Sequence, residues 1–226
     1  PWVRHTAGQL DGPIDAWHNA FGLPEGERTQ LPQNALDFRV IDPSGDQLLH
    51  RSASTSGLGD VAVSAGLPLH PGHGGNATIG AGLRIEAPTG DPRRLLGSGG
   101  WDLASWLSAA DKLGFADGWS WHAAAGALYM TDSQILASLH RKRAYFGRVA
   151  AHWAMHKHLS WTVQLDGHTA LYDSPLVPLG QDTLQLRLGG DWQPWPKYRI
   201  EAGFSEDVAV GTAPDITFHL GLSRTY

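Results

Sequence analysis

From residue 60 to the C-terminus the sequence repeats one pattern, in which apolar and polar side chains alternate one by one between turns. In 159–168, for example, Leu159, Trp161, Val163 and Leu165 are apolar and the positions between them are polar. Because successive side chains of a strand point to opposite faces of a sheet, this alternation predicts strands with one polar and one apolar face. Comparable segments lie at 61–69, 77–87, 143–156, 183–192, 198–204 and 216–223.

The alternation by itself does not say which face is inside, and a soluble β-sandwich or barrel is the alternative to a membrane protein. No stretch approaches the roughly 18 consecutive apolar residues of a membrane-spanning helix. A chain that spans with strands must pair every backbone polar group, which only a closed barrel achieves. The polar face carries many full charges, which suits a wide polar interior. We therefore expect an all-β fold, an antiparallel transmembrane β-barrel with about 10 strands in this chain, as a single domain over 1–226.

Charge and composition exclude some partners. Only 17% of the residues are charged, the net charge is -5, and no basic stripe is present, so no nucleic-acid partner is expected. Cysteine is absent, which excludes disulfides and cysteine-based metal sites.

The connections between the predicted strands alternate in length. Short ones lie near 70–76, 113–118, 156–158 and 193–197, and longer ones near 88–100, 130–142, 171–181 and 205–215. Bacterial barrels have short periplasmic turns and longer external loops. The alternation therefore predicts a location in the cell outer membrane of a Gram-negative bacterium, with the C-terminus in the periplasm.

The aromatic residues, which include 10 tryptophans, are predicted to form two belts at the membrane interfaces. The belt near the periplasmic strand ends comprises Trp119, Trp153, Trp161, Trp192, Trp195, Tyr198 and Tyr226. The belt near the external ends comprises Trp101, Tyr129, Tyr145, Tyr172, Phe204 and Phe218.

The first 59 residues follow a different pattern. Residues 1–5 are interpreted as the end of a strand, and 8–59 as one large external loop or lid. Within it we expect a short helix over 11–21, with Asp11 as its cap, and a β-hairpin over 36–51.

The polar face is predicted to line the barrel lumen. The lumen-lining set is Arg84, Glu86, His122, Arg148, His152, Gln164, Asp166, His168, Gln185, Arg187, Asp191, Arg199, Glu201 and His219. Rows of mixed charge can form a transverse field that selects polar solutes, or can pair off and close the lumen. The favoured function is accordingly a porin-like channel for small polar solutes, or a lumen-plugged barrel.

Other polar clusters give weaker signals. Arg93 and Arg94, beside the glycine-rich turn 97–100, have the chemistry to bind lipopolysaccharide phosphates. His70 with His73, and His156 with His158, have spacings that metal sites use, but no carboxylate or cysteine is near in sequence. The acidic groups at 205–207 and Asp215 resemble calcium ligands, yet a capping or solvated role is favoured. No metal site and no cofactor is predicted.

A catalytic alternative rests on one external strand end, where His168 precedes Tyr172, Asp173 and Ser174. A His–Ser pair oriented by a carboxylate would make a nucleophile, but no nucleophile motif surrounds Ser174. No catalytic residue is therefore predicted. The rival functions left open are an outer-membrane lipid-modifying enzyme centred on His168, and a non-catalytic surface or assembly protein that binds a partner through 8–59.

Several short motifs carry a family resemblance: VRH at 3–5, LDG at 10–12, WHNAFGLP at 17–24, SGLGD at 56–60, PTGD at 88–91, GSGG at 97–100, SED at 205–207, APD at 213–215 and FHLGL at 218–222. Together they resemble an uncharacterised proteobacterial outer-membrane β-barrel family, domain of unknown function 3187. The resemblance implies about two further strands before residue 1, giving about 12. It also implies contact with the lipid bilayer and lipopolysaccharide. The terminal aromatic Tyr226 would be recognised by the barrel-assembly machinery. No activity is implied.

Overall fold

The structure is a computed structural model that describes residues 1–7, 10–23, 32–72, 77–114, 116–208 and 216–225. Its strands, in chain order, are β1 (Trp2–His5), β2 (Phe38–Ile41), β3 (Gln47–Arg51), β4 (Thr55–Leu58), β5 (Val61–His70), β6 (Thr78–Ala87), β7 (Asp102–Lys112), β8 (Trp119–Met130), β9 (Arg143–His156), β10 (Leu159–His168), β11 (Thr183–Trp195), β12 (Tyr198–Asp207) and β13 (Ile216–Arg224). The helices are α1 (Asp11–Phe21), a 3-10 turn (Pro92–Arg94) and α2 (Val177–Gly180).

The chain packs as two compact units. The first comprises 1–61, 86–101 and 132–140, and the second comprises 62–85, 102–131 and 141–226. The predicted external segment 8–59 lies within the first unit, and its assignment as a lid stays a prediction.

A nine-stranded sheet runs in sequence order from β5 to β13, each strand hydrogen-bonded to its neighbour along the chain. The all-β class is confirmed, and so are the strands predicted from alternation. The sheet has nine strands, against the about ten that were predicted for the barrel. The strand predicted at residues 1–5 is present as β1, but it pairs antiparallel with β4 in a separate two-stranded sheet. Four residues of alternating pattern look the same in sequence whichever sheet they join.

The two edges of the large sheet are β5 and β13, and the described residues contain no pairing between them. The sheet is therefore antiparallel but not closed, and the closed barrel is not shown. The predicted connection lengths are confirmed. Short connections span 71–77, 113–118, 157–158 and 196–197, and longer ones span 88–101, 131–142, 169–182 and 208–215.

The first unit contains the predicted helix and hairpin. Helix α1 covers the expected residues and is followed by the C-cap Gly22, whose φ of 66° is left-handed. The prediction of Asp11 as the cap is wrong, because Asp11 is the first helical residue and Leu10 occupies the N-cap position. The Asp11 carboxylate instead accepts a hydrogen bond from the Asn34 backbone N–H at 2.6 Å. Among the described residues no helix is both long and apolar enough to cross a membrane.

The β2–β3 hairpin is confirmed, and its turn is organised by one carboxylate. Asp42 accepts hydrogen bonds from the backbone N–H groups of Ser44 and Asp46, both at 2.9 Å, and from the Ser44 hydroxyl at 2.6 Å. These bonds lower the pKa of Asp42, and the bond from the Ser44 hydroxyl has the largest effect.

A second carboxylate holds the loop after β6. The Asp60 side chain accepts hydrogen bonds from the backbone N–H groups of Gly90 and Ser98, both at 2.8 Å. A Cβ on Gly97 would overlap the Asp60 carboxylate, so this loop requires glycine for the close approach. The loop that contains the glycine-rich turn is thus held in place by backbone hydrogen bonds to the Asp60 carboxylate.

Candidate functional site

The polar side chains of the nine-stranded sheet lie on one face. Residues directly opposite each other in antiparallel strands share a face, and the register links Ala124, Arg148, Asp166, Gln185 and Asp207 in one such row. Alternation from this row places twelve predicted lumen residues on the same face: His122, Arg148, His152, Gln164, Asp166, His168, Gln185, Arg187, Asp191, Arg199, Glu201 and His219.

Strand β6 contributes the other two predicted lumen residues. A Cβ on Gly82 would overlap the Trp106 ring, so that ring covers Gly82. Trp106 lies on the polar face, since it pairs with Gly126 in the row that leads to Phe146 and His168. Along β6, Arg84 and Glu86 follow Gly82 by alternation.

Three strands, β9, β10 and β11, contribute to a charged cluster on this face, toward the ends that adjoin the long connections. The Arg148 Nε donates to one Asp166 carboxylate oxygen at 2.6 Å, and the Gln164 Nε2 donates to the other at 2.6 Å. The Arg187 Nε lies 3.3 Å from that second oxygen. It forms an ion pair without hydrogen-bond alignment, and it has no other hydrogen-bond partner among the described residues. The cluster of Arg148, Asp166 and Arg187 carries a net positive charge.

A more acidic group lies nearer the tight turns. Asp191 is directly opposite Ser160 on one side and Glu201 on the other, and the Ser160 hydroxyl donates to it at 3.1 Å. Close by, His152 Nδ1 and the Thr162 hydroxyl lie 3.0 Å apart. The polar face therefore carries a cationic cluster and an acidic pair at different heights, with hydroxyl and imidazole groups between strands.

The residues of the catalytic alternative do not assemble a nucleophile. His168 Nδ1 donates to the Thr169 carbonyl at 2.9 Å, and the Ser174 hydroxyl accepts from the Leu176 N–H at 3.2 Å. Asp166, the nearest carboxylate in the same strand, is bonded to arginine and glutamine. The orientation that a His–Ser pair needs is absent from these described contacts.

The metal candidates stay apart as well. The described residues include no group of three or more His, Asp or Glu side chains that could hold a metal ion. The rings of His156 and His158 lie 5.9 Å apart at a tight turn. Ser205 and Asp207 are buried, while His73 and Asp215 lie outside the described residues.

The two arginines predicted to bind lipopolysaccharide, Arg93 and Arg94, are the last two residues of a short 3-10 turn. Arg94 donates from its guanidinium to the Ser56 carbonyl at 2.8 Å, and its own carbonyl accepts from the Thr55 hydroxyl at 3.1 Å. Arg93 donates its backbone N–H to the Asp91 side chain at 2.9 Å. Arg94 therefore has a local structural role, and a lipopolysaccharide contact by either residue stays a prediction.

The opposite face of the sheet is apolar and exposed. Leu220 is 83% exposed, Val63 72% and Leu67 68%, and no large side chain among the described residues is fully buried. Side chains exposed to this degree are not packed in a core. An exposed apolar surface of this extent marks contact with a partner or a membrane.

The predicted aromatic belts fall at the strand ends. Toward the tight turns, the Trp119 and Trp153 rings stack with centroids 5.5 Å apart, and Trp153 is directly opposite Trp161. Trp195 meets Tyr198 edge-on at 6.1 Å. The remaining members of the first belt are Trp192, in β11, and Tyr226, which lies outside the described residues.

Aromatic residues at the other end include one with a perturbed environment. Trp101 immediately precedes β7, while Tyr129, Tyr145, Phe204 and Phe218 lie near strand ends. Tyr172 lies in the 169–182 connection. Its pKa is raised mainly by burial and to a smaller extent by the nearby negative charge of Asp102.

Two polar-face aromatics were missed by the sequence reasoning. Trp106 and Phe146 occupy one row with Gly126 between them, and Trp106 also covers Gly82. Both rings sit on the face that alternation marks as polar. The signal that could have found them is glycine within a strand, which often marks close approach of another group.

Comparison with known proteins gives a family but no activity. No curated protein matches the chain. A family model described as a protein of unknown function (DUF3187) matches residues 1–226. The chain therefore belongs to the DUF3187 family.

Proposed function

We propose that this chain forms the wall of an outer-membrane β-barrel whose polar face lines a passage for small polar solutes. The observation that carries the proposal is the division of the nine-stranded sheet into a face that bears most of its charges and an exposed face that is mainly apolar. In a barrel that spans lipid, the apolar face turns outward and the polar face inward.

The exposed face supports a lipid environment on energetic grounds. A large apolar side chain gains about 1.5–3 kcal/mol when it is removed from water. Leucines and valines repeat along the strands of this face, so leaving it in water would cost many times that amount. Aromatic side chains at both strand ends fit the headgroup levels of a bilayer, where amphipathic rings are favoured.

The polar face supports a passage with charge selectivity. Arg148 and Arg187 flank Asp166, and their side chains are 45% and 40% exposed, so solutes on that face would meet them. Asp191 and Glu201 place negative charge at another height. A barrel of ten to twelve strands lies near the boundary between filled and open interiors, which fits small solutes.

The remaining parts of the proposal concern closure and partners. A barrel needs the free edges of β5 and β13 to be paired, either with each other or through further strands. Contacts with lipopolysaccharide, and recognition of the C-terminal strand by the barrel-assembly machinery, belong to the same proposal.

Conductance across planar bilayers tests the passage. The refolded protein is expected to give discrete conductance steps, and Asp166→Asn should shift the reversal potential in a KCl gradient toward anion preference. The charge of the cluster of Arg148, Asp166 and Arg187 rises by one in that variant, which is the reason for the shift. Asp173→Asn, in the 169–182 connection, is the matched control and should leave the reversal potential unchanged. Membrane insertion without any conductance would overturn the passage.

A further inference from the structure

An open groove crosses the apolar face between β10 and β13. It has a volume of 670 Å³. Its floor is the directly opposed pair Gly190 and Ala202, where the absence of any side chain larger than a methyl group leaves a depression. Larger side chains form its walls, among them Trp161, Trp192 and Phe218. The groove therefore has an apolar lining and aromatic walls, which suits an acyl chain better than a polar ligand.

Positive charge lies at one end of the groove. Ile200, which lines the groove, is opposite Leu222, and two residues further along the same face Tyr198 is opposite Arg224. At about 3.3 Å per residue this is a step of about 7 Å beyond the lining. The Arg224 guanidinium lies 5.4 Å from the centre of the Tyr198 ring. Lys197 occupies the adjoining tight turn, where its carbonyl accepts from the Thr225 N–H at 2.9 Å.

We propose that this groove is a binding site for an anionic phospholipid. One acyl chain would lie over Gly190 and Ala202, and the headgroup phosphate would bind to the side chains of Arg224 and Lys197. The inference rests on the proposed membrane location, which puts the tight-turn ends at a headgroup level.

Charge complementarity selects this occupant. Guanidinium and ammonium groups bind phosphate oxygens through charge-assisted hydrogen bonds. A zwitterionic headgroup presents its own cation beside the phosphate, so two basic side chains favour it less than an anionic one.

Electron spin resonance of spin-labelled lipids tests the site in reconstituted bilayers. The full chain is placed in phosphatidylcholine membranes that contain spin-labelled phosphatidylglycerol or spin-labelled phosphatidylcholine. The motionally restricted lipid then gives the relative association of the two headgroups. We expect phosphatidylglycerol to be favoured at least about fivefold, the ratio that a single basic residue near an anionic surface produces. The double variant Lys197→Gln with Arg224→Gln should reduce that ratio to about one.

Two further variants separate the groove from general charge. Ala202→Leu fills the floor and keeps both cations, and it should lower the number of restricted lipids that show the preference. Arg143→Gln is the matched control, because Arg143 begins β9 at the opposite strand ends, and it should leave the ratio unchanged.

The outcomes separate the two proposals. Equal association of both lipids with the unmodified protein would overturn the lipid site and leave the membrane location standing. So would an equal loss of preference in Arg143→Gln and in the double variant. Absence of restricted lipid of either kind would overturn the membrane location, and with it the site.

Discussion

Replacing Asp166 by asparagine removes the charge that joins three strands on the polar face. The Asp166 side chain is only 18% exposed, whereas its partners Arg148 and Arg187 are 45% and 40% exposed. Asparagine keeps one oxygen that can accept from Arg148 or Gln164. However, it removes the negative charge that faces Arg148 on one neighbouring strand and Arg187 on the other.

The size of the effect follows from burial and hydrogen bonding. A hydrogen bond to a charged group contributes about 1.5–3 kcal/mol net, whereas an exposed ion pair contributes about 0.2–1 kcal/mol. Asp166 accepts two short bonds and faces a second arginine, but those arginines are partly screened by solvent. We expect Asp166→Asn to lower the free energy of unfolding by about 2 kcal/mol.

A matched control exists in the same chain. Asp173 pairs with Arg141 at 3.3 Å, and its side chain is 86% exposed. Asp173→Asn should therefore change the free energy of unfolding by less than about 0.5 kcal/mol. Urea unfolding of each protein refolded in phospholipid vesicles, followed by tryptophan fluorescence, measures both values. A loss in Asp166→Asn no larger than that in Asp173→Asn would refute the cross-strand role of Asp166.

Two further substitutions test packing in the two units. Gly82→Val places methyl groups where the Trp106 ring lies and should cost about 1–3 kcal/mol in the same urea assay, because overpacking displaces the ring; an unchanged midpoint would contradict that contact. Asp60→Ala removes the acceptor of the Gly90 and Ser98 N–H groups and should speed hydrogen exchange at both amides about tenfold or more, since each lost bond to a charge exceeds about 1.4 kcal/mol; unchanged exchange at those two amides would show that the loop is held by other contacts.

The strands could be predicted because each one carries its own evidence. Alternation along β10, with turns on either side, is enough to locate a strand and to say which side chains share a face. Closure of the sheet is a different kind of property. It depends on whether the edges β5 and β13 meet, and no local pattern encodes the pairing of two distant edges. The sheet to which residues 1–5 belong could not be predicted for the same reason, because the pairing of β1 with β4 is also a contact between distant residues.

The candidate site shows the same difference between what a local pattern predicts and what depends on contacts between distant residues. Parity along each strand was sufficient to put Arg148, Asp166 and Arg187 on one face. Their mutual contact required the register between three strands, which local shifts alter, as at Leu159/Trp161 and Trp192/Trp195. A one-residue change in register would have moved each partner to the other face. The aromatic rings on the polar face were missed because alternation was the only signal used.

The central claim is that one face of the sheet meets lipid and the other meets water. Because the chain has no cysteine, single variants can carry a nitroxide at chosen positions of β10. Four consecutive variants, Thr162→Cys, Val163→Cys, Gln164→Cys and Leu165→Cys, are labelled in the protein reconstituted in bilayers. Collisions with oxygen, which concentrates in lipid, should be frequent at 163 and 165, and collisions with a water-soluble nickel chelate should be frequent at 162 and 164. Equal accessibility at all four positions, or nickel collisions at 163 and 165, would contradict the account.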